Sequence, residues 1–343
     1  MSETTTVTTP GSAAESRPAP PAVPLRELVE LATRAPSIHN TQPWRWRAGG
    51  TQVRLYADRS RQLLHSDPDG RSLVISCGAA LHHAQVAAEG LGWQVVVRRC
   101  PDPAEPDLLA TLDLFPGRVV PAAQERLEAL RVRSTDRRRF TSWPLPAERL
   151  DRLAEQAASW GAMVVPVLDP GRQATLEELM ARAERIERED PDHAAEVAPW
   201  VGAAGRAGIP ASSIPEANPH RPAMPSRYRQ GELSDPVPEP GQEPAEFVEG
   251  VMVLCTLDDD PLAWLRTGET LSALWLDTIR QGLSLLPLTQ VTEVPQTREA
   301  LGRDVLRGLA HPQLLVRVGW QEITRSGLPR TPRRPVEEVL RLD

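Results

Sequence analysis

Prolines interrupt this chain at positions that restrict where regular structure can form. The 343 residues include 35 prolines, about twice the usual share. Ten of them fall between Pro199 and Pro244, in a stretch that lacks any sustained apolar period. Because proline breaks helix interiors and sheet ladders, residues 199–244 are predicted to form a long excursion without regular structure. Such excursions are usually lids, binding loops or linkers, and the sequence leaves lid and linker equally open.

Composition excludes several classes of protein. Residues 1–24 hold Thr, Ser, Ala and five prolines, with no basic start and no apolar core, so they are predicted to be a disordered tail and not a signal peptide.

A net charge of −7 argues against nonspecific nucleic-acid binding. No apolar run approaches the ~20 residues of a membrane span. Three cysteines fit neither a disulfide framework nor a zinc motif, which favours a reducing compartment, the cytoplasm.

Helical and strand patterns alternate along the rest of the chain. Helices are predicted near 25–35, 72–91 and 264–282, and a mixed helix-and-strand series occupies 123–189. Strands are predicted near 43–47, 52–57, 94–99, 108–114, 250–257, 284–288 and 313–318. The mixture indicates the α+β or α/β class.

Two glycine pairs form a weak internal repeat. Gly78 and Gly268 each begin a G-x-x-L tetrapeptide, and Gly92 and Gly282 follow them at the same spacing. Each closing glycine precedes a strand-like run. Taken alone, the match fits either a repeat or chance.

The segment 35–46, APSIHNTQPWRW, lies between a predicted helix end and a strand start. The amides of Asn40 and Gln42 each offer two donors and one acceptor, which suits the edge of a heteroaromatic ring. Trp44 and Trp46 alternate with arginines, as in a strand with one apolar face. The residues alone fit equally well a proline-bounded loop before a half-buried strand.

Three other polar segments could bind an anion or hydrogen-bond the edge of a ligand. Five arginines fall within 131–139, interleaved with Ser134 and Thr135, a pattern that fits a phosphate site or a solvated turn. Arg333 and Arg334 lie near the C-terminus, and Thr289 and Gln290 end an apolar strand. Each of these also fits plain exposure. Nucleotide-binding glycine motifs, H-E-x-x-H and G-x-S-x-G are absent from the sequence, so no catalytic residue and no metal site is predicted.

Together these pieces resemble the nitroreductase-like FMN flavoproteins, and specifically their Acg-like branch, from about residue 25 onward. The resemblance implies an α+β nitroreductase-like fold, FMN as cofactor and NAD(P)H as reductant. Family proteins usually form homodimers with FMN at the interface. The implied loop from the partner side comprises Ser37, Asn40, Gln42, Pro43, Trp44, Arg45 and Trp46. The implied phosphate and ribityl contacts are Arg133, Thr135 and Arg137, with Arg333 and Arg334 as C-terminal basic residues. Arg137 is also expected near flavin N1 and O2, and Thr289 and Gln290 near N5.

Both sets of family residues lie here in one chain. The first half, 25–120, contains the loop but no preceding R-x-S-x-R turn. The second half, 121–343, contains that turn as Arg133, Thr135 and Arg137, with Thr for Ser, but no second loop. After the helix at 147–158 the chain instead reads Ser159-Trp160-Gly161. We therefore expect a fused, degenerate pseudo-dimer that binds one FMN per chain as a monomer, with further dimerisation left open.

Two functions follow from the resemblance. The first is an FMN-binding, NAD(P)H-linked oxidoreductase of nitroreductase type acting on a small-molecule oxidant. The alternative is an FMN-binding or storage protein whose flavin is covered by the proline-rich stretch at 199–244 and turns over little or not at all. A scaffold without flavin is a third interpretation.

Overall fold

Two antiparallel sheets flank a central pair of long helices. The computed structural model describes residues 22–135, 137, 140, 143–202, 205–213, 250–320 and 330–343. The first half contains α1 (Leu25–Ala32), β1 (Trp44–Gly49), β2 (Gln52–Ala57), α2 (Arg71–Gly90), β3 (Trp93–Arg99) and β4 (Leu108–Pro116), and α3 (Pro121–Val132) follows. The rest contains α4 (Ala147–Ala158), β5 (Met163–Pro166), α5 (Pro170–Glu189), α6 (Pro191–Val197), β6 (Val251–Thr256), α7 (Pro261–Arg280), β7 (Ser284–Leu288), α8 (Gln290–Glu293), α9 (Pro295–Ala300), β8 (His311–Gly319), α10 (Val336–Val339) and β9 (Leu340–Leu342).

The two sheets repeat one topology. The first has the strand order β3-β4-β2-β1-β9 and the second β5-β6-β8-β7. If β1 to β4 are matched in turn with β5 to β8, the order β3-β4-β2-β1 becomes β7-β8-β6-β5, which is the second sheet read from its other edge. All the matched pairings are antiparallel. In both halves a long helix connects the second matched strand to the third.

The two central helices touch at the glycines of the sequence repeat. Helices α2 and α7 each have 20 residues, and Gly78 and Gly268 are the eighth residue of each. A Cβ atom on Gly78 would lie 2.0 Å from the carbonyl oxygen of Leu265, and one on Gly268 would lie 1.9 Å from that of Ile75. Leu265 and Ile75 are themselves the fifth residue of each helix. The contact is therefore symmetric, and it requires two residues without side chains.

The halves differ in what covers their sheets. Core residues of the first sheet pack on α1, α2 and α3, where Leu127 and Leu130 join Trp44 and Trp46. The second sheet is covered on both faces, by α4 and α7 on one side and by α5, α8 and α9 on the other. Strand β6 is accordingly buried along its whole length.

The end of the chain returns to the first sheet. Strand β9 pairs in parallel with β1, with Leu340 opposite Trp46. The C-terminal arm therefore lies on the first half, although it follows the last strand of the second. The boundary near residue 120 between the two predicted halves stays a prediction.

The predicted helices and strands are confirmed, with shifted ends. Helix α1 stops at Ala32, three residues earlier than predicted, and a turn leads to Pro36. Helix α7 starts at Pro261 and not at 264, because the carboxylate of Asp260 accepts the backbone N–H of Ala263 at 2.8 Å and caps the helix. The predicted tail, apart from its last three residues, and most of 199–244 lie outside the described residues. Among the described helices, none has the length and apolar character needed to cross a membrane.

Substituting Gly78→Ala should destabilise the protein strongly. The new methyl group would lie within 2.0 Å of a backbone oxygen that has no freedom to rotate away, so we expect a loss of about 3 kcal/mol or more in free energy of unfolding. Thermal unfolding measures this as a melting temperature lower by roughly 6–12 °C. The matched control is Gly171→Ala in α5, where the nearest atom lies at 3.3 Å. A Gly78→Ala protein as stable as the control would contradict the close crossing.

Candidate functional site

A cleft opens where the two halves meet, and we call it the interhalf cleft. Its cavity volume of about 90 Å³ is smaller than the roughly 300–1,000 Å³ typical of small-molecule sites. The first half contributes the 36–39 loop and one face of α2, and the second contributes α7, the end of β7 and the start of β8. The lining residues are Pro36, Ser37, Ile38, His39, Ser72, Ile75, Ser76, Thr135, Arg137, Leu271, Trp275, Leu286, Pro287, Thr289, Gln313 and Leu314.

Four of the predicted site residues line this cleft: Ser37, Thr135, Arg137 and Thr289. They come from three separate parts of the chain, as the resemblance implies. Most of the wall is apolar, with hydroxyl groups and one guanidinium group among the side chains. This composition suits a flat aromatic ligand with a polar edge.

The loop before β1 has an unusual backbone. His39, Asn40 and Gln42 have φ angles of 43°, 56° and 51°, the left-handed region that non-glycine residues seldom adopt. The Ser37 hydroxyl accepts the backbone N–H of Gln42 at 3.0 Å. Strained segments of this kind persist only when their surroundings hold them in place.

The amides of Asn40 and Gln42 supply that support. Asn40 Nδ2 donates to the carbonyl oxygens of Gly208 at 2.8 Å and Pro332 at 3.1 Å. Gln42 Nε2 donates to the Arg206 carbonyl at 3.0 Å, and its Oε1 accepts the backbone N–H of Arg334 at 2.8 Å. Both side chains thus fasten the loop to segments 206–208 and 332–334. Their contact with a ring edge stays a prediction, and the structure adds this supporting role.

The rest of the motif lies beneath the loop. Trp44 and Trp46 are fully buried in the first core, and Arg45, on the opposite face of β1, forms an ion pair with Asp58 at 2.7 Å. The predicted half-buried strand is confirmed. Pro43, Trp44, Arg45 and Trp46 do not line the interhalf cleft, so the structure places them as supports of the loop.

Buried Arg133 and half-buried Arg333 lie beside the cleft and bond to the same backbone segment. Arg133 Nη2 donates to the Arg34 carbonyl at 2.9 Å, and its guanidinium lies over the ring of Trp275 at 4.8 Å. Arg333 Nη2 donates to the carbonyls of Arg34 and Ala35 at 3.1 and 3.2 Å, and its Nη1 donates to Asn40 Oδ1 at 3.0 Å. The predicted turn and the predicted C-terminal arginine therefore meet at residues 34–35.

Among the described residues, no carboxylate forms an ion pair with Arg133 or Arg333, although Glu27, Glu30 and Glu337 line the same space as these arginines. Burial, and then the charges of Arg333, Arg34 and Arg137, lower the pKa of Arg133 well below its usual range. Burial and the charge of Arg34 lower the pKa of Arg333 to about 10. Within the described residues, no carboxylate bonds to either, and Arg133 Nε and Nη1 and Arg333 Nε have no hydrogen-bond partner.

A buried charge without compensation is costly, and unpaired guanidinium N–H groups are the preferred donors to phosphate. The residues therefore fit a phosphate group at this position. The arginines also line a second space, which we call the arginine cleft. It has a cavity volume of about 530 Å³ and is lined by Arg26, Glu27, Glu30, Leu31, Thr33, Arg34, Arg133, Ser134, Arg330, Thr331, Arg333, Arg334, Pro335, Val336 and Glu337.

Sequence reasoning missed Arg34 and Trp275. Arg34 directly precedes the predicted loop that begins with Ala35-Pro36-Ser37. No sequence pattern identifies Arg34, because its carbonyl oxygen and not its side chain accepts the hydrogen bonds from Arg133 and Arg333. Trp275 lies one turn after Leu271 on the repeated helix. Its position on the cleft wall could have been inferred only from the crossing of α2 and α7.

Side chains of the protein fill the position that matches the cleft in the other half. The repeat glycines set an offset of 190 residues, so Trp275 matches Gln85 and Thr289 matches Arg99. There Arg99 donates to the fully buried carboxylate of Glu269 at 2.6 and 2.8 Å, and Gln85 Nε2 donates to it at 2.7 Å. Nearby, the ring of Trp160 packs edge-on against that of His82 with centroids 4.3 Å apart. These side chains bond to one another at the matched positions that the structure describes.

His82, in the middle of α2, has a hydrogen-bond partner within the protein. His82 Nδ1 bonds to Ser272 Oγ at 2.7 Å, and no group of metal-binding side chains is found among the described residues. The arginines at 138 and 139 lie outside those residues, as do 203–204 and 214–249 of the predicted lid. Its described segment 205–213 contacts the Asn40 and Gln42 side of the loop.

Relatives cover nearly the whole chain. "Putative NAD(P)H nitroreductase Rv3131" of Mycobacterium tuberculosis is 39% identical over 332 residues, covering 96% of this chain and 94% of the relative. "Putative NAD(P)H nitroreductase acg" of the same organism is 34% identical, covering 92% of this chain and 94% of the relative. A third relative there, named "Uncharacterized protein Rv3127", is 32% identical, with 93% of each chain covered. No family profile matches the chain.

Solved structures show only a weak likeness. Bacillus megaterium NfrA2 aligns with a TM-score of 0.34 at 12% identity, covering 60% of this chain and 70% of its own. The NADPH:FMN oxidoreductase of Vibrio harveyi, solved with NAD⁺, aligns with a TM-score of 0.33 at 11% identity, covering 61% and 74%. The assignment of the chain to a family therefore rests on the sequence relatives.

The double substitution Asn40→Ala, Gln42→Ala should lower the stability of the protein in the absence of any ligand. It removes the ties that hold a left-handed loop and leaves backbone carbonyls unpaired, so we expect a loss of about 2–4 kcal/mol. Chemical denaturation of ligand-free protein measures it. Arg47→Ala, at an exposed position of the following strand β1, serves as control. Unchanged stability of the double variant would leave these amides with no supporting role.

The substitution Arg133→Met should leave ligand-free protein as stable as the wild type, or more stable by about 1 kcal/mol. It replaces an uncompensated buried charge with an apolar chain of similar length, and the Arg34 carbonyl keeps its bond from Arg333. Denaturation in phosphate-free buffer tests this, with exposed Arg303→Met as control. A loss above about 2 kcal/mol would show that Arg133 stabilises the fold by itself.

Proposed function

Because the chain belongs to the nitroreductase-like family that includes Rv3131 and Acg, we propose that it is an FMN-binding, NAD(P)H-linked oxidoreductase with one flavin per chain. The observation that carries the proposal is the pair of arginines in the arginine cleft, buried Arg133 and half-buried Arg333, to which no described carboxylate bonds. A phosphate bound by these arginines would lie next to Ser134, and the following residue, Thr135, lines the interhalf cleft. The largely apolar wall of that cleft suits a flat ring. The names of the relatives support the same chemistry.

The proposed flavin would supply hydride acceptance at N5 and onward transfer to an oxidant. Arg133 and Arg333 would hold its phosphate, with Thr135 as a further donor on the ribityl side. Trp275, Ile38 and Leu286 form apolar walls that exclude water from the ring. Arg137 would favour negative charge on the ring by its own positive charge, and Thr289 would lie at the opposite wall.

The fused-dimer interpretation rests on the repeated topology and on the side chains at the matched positions. There the Arg99–Glu269 pair and Trp160 would occupy the volume that a second ring needs. One chain would therefore complete one cofactor site without a partner subunit. The proposed compartment is the cytoplasm, which rests on the three unpaired cysteines.

The proposal is tested on freshly purified protein saturated with FMN and freed of excess. We expect a flavin absorbance spectrum with close to one flavin per chain, and bleaching of that spectrum on anaerobic addition of NADPH or NADH. Arg133→Met should weaken FMN binding about 10–100-fold, the effect of losing one or two charge-assisted hydrogen bonds. Riboflavin, which lacks the phosphate, should bind wild type and variant alike.

The outcomes separate the candidate functions. Two flavins per chain would contradict the interpretation with a single site. Bound flavin that neither nicotinamide reduces, in intact protein and in protein lacking residues 214–244, would favour storage over turnover. Reduction only after that deletion would make the segment a gate. Protein that remains colourless after incubation with FMN would remove the flavin proposal altogether.

A further inference from the structure

Arg71, the first residue of α2, extends from the first half of the chain into the second. Its side chain is buried, with 7% of its surface exposed. Nη2 donates to the backbone carbonyl of Thr292 at 2.6 Å, and Nη1 donates to that of Gln313. Both acceptors lie more than 220 residues further along the chain. One side chain therefore joins the start of α2 to α8 and to β8.

Both acceptors belong to the wall of the interhalf cleft that faces α2. Gln313 lines the cleft directly. Thr292 is bound back to Thr289, another lining residue, because its backbone N–H and its hydroxyl group donate to the Thr289 carbonyl at 2.9 and 2.8 Å. Ser72, the residue after Arg71, lines the cleft from the α2 side. Arg71 thus ties one wall to the other.

The place of Arg71 along α2 makes this contact the second of two fixed points. The first is Gly78, where the backbones of α2 and α7 touch. Crossing helices move apart on both sides of their contact, and Arg71 lies about two turns, or roughly 10 Å, before Gly78. The described α2 residues that line the interhalf cleft lie between the two points: Ser72, Ile75 and Ser76. The α2 wall is therefore held against the second half at both of its ends.

Acidic groups lie near Arg71, but its Nη atoms bond to carbonyl oxygens. Burial, and then the charge of Arg298, lower the pKa of Arg71 to about 10. The charges of Asp67, Glu293 and Asp259 act in the opposite direction. The Asp67 carboxylate accepts backbone N–H groups in the first turn of α2 at 2.9 Å, and Asp259 pairs with Arg298 at 2.8 Å. The guanidinium group of Arg71 is protonated at neutral pH, so both of its bonds to the second half are charge-assisted.

We propose that Arg71 is a positioning residue for the ligand of the interhalf cleft. It keeps the wall of Thr289 and Gln313 at a fixed distance from the α2 wall before any ligand is present. Without it, these walls would have to be ordered when the ligand binds, and that ordering lowers affinity. This inference rests on the proposed function, because the ligand is the flavin ring of that proposal. Arg71 acts on the ring side and not at the phosphate, so flavins with and without a phosphate should lose affinity equally on its removal.

Fluorescence titration of flavin-free, full-length protein with riboflavin and with FMN tests this role. Arg71→Met should weaken both ligands by the same factor, about tenfold, because it removes both bonds to the second-half wall. Arg71→Lys keeps a charged donor at the same place, so it should bind both flavins within about threefold of wild type. Arg133→Met, by contrast, should weaken FMN alone.

Gln85→Met is the matched control, because it removes a buried hydrogen bond from the same helix, that to Glu269 at 2.7 Å. Gln85 does not line the interhalf cleft. This variant should lose stability without losing affinity for either flavin. Equal losses of affinity in Gln85→Met and Arg71→Met would show a general effect of destabilisation and would overturn the positioning role.

The remaining outcomes separate this role from the proposed function. Wild-type affinity for both flavins in Arg71→Met would overturn the role, and a loss confined to FMN would place Arg71 on the phosphate side. If Arg71→Met does not fold, Arg71→Gln, which can still donate to one carbonyl, replaces it with an expected loss of about threefold for both ligands.

If wild-type protein binds neither flavin, the proposed function fails, and amide hydrogen exchange of ligand-free protein decides whether Arg71 holds the wall. Backbone N–H groups in residues 284–292 should then exchange faster in Arg71→Met than in Gln85→Met, because local opening is easier where a tether has been removed. Equal exchange rates in the two variants would show that the wall does not depend on Arg71.

Discussion

The backbone contact between Gly78 and Gly268 is the constraint on which the rest of the structure depends. It lets α2 and α7 approach until carbonyl oxygens of one helix meet the α-carbons of the other. Both walls of the interhalf cleft are carried by these helices, Ser72 and Ser76 on one and Leu271 and Trp275 on the other. A larger residue at either glycine would separate the walls and displace Trp275 from Arg133. The width of the cleft is thus set by two residues that lie outside it.

The crossing of α2 and α7 is symmetric in the backbone, but the side chains at the two matched positions differ. Equivalent positions on the two helices carry different side chains, and the pair Trp275 and Gln85 shows the effect. Trp275 lines the interhalf cleft, and its ring packs against the guanidinium group of Arg133. Gln85 instead donates a hydrogen bond to Glu269, which is paired with Arg99. Backbone symmetry therefore coexists with chemical asymmetry. At the matched positions, hydrogen bonds instead join β3, α2 and α7 through Arg99, Gln85 and Glu269.

Sequence patterns predicted much of this arrangement and missed the remainder for identifiable reasons. The periodicity of apolar residues predicted the helices and strands. The glycine repeat indicated the symmetric helices, because their close backbone contact requires glycine at the same position in each. The loop motif pointed to the correct wall through Ser37, yet the patterns assigned Asn40 and Gln42 to a ring edge, while the structure shows both amides bonded to segments more than 160 residues away. Arg34 escaped notice because it acts through its carbonyl oxygen, a group every residue has. Contacts of that kind depend on tertiary geometry and leave no signature in residue type.

The parallel pairing of β9 with β1 has a consequence for the order of events during synthesis. Arg333 reaches residues 34 and 35 only when the last residues of the chain fold back onto the first strands. A chain still emerging from the ribosome can form the helices and both sheets except for β9, but it lacks one of its two innermost cations. The proposed phosphate contacts of Arg333 therefore form only after the segment around β9 has paired with β1. A chain cut before Arg333 would keep the interhalf cleft but lose one of the two inner arginines.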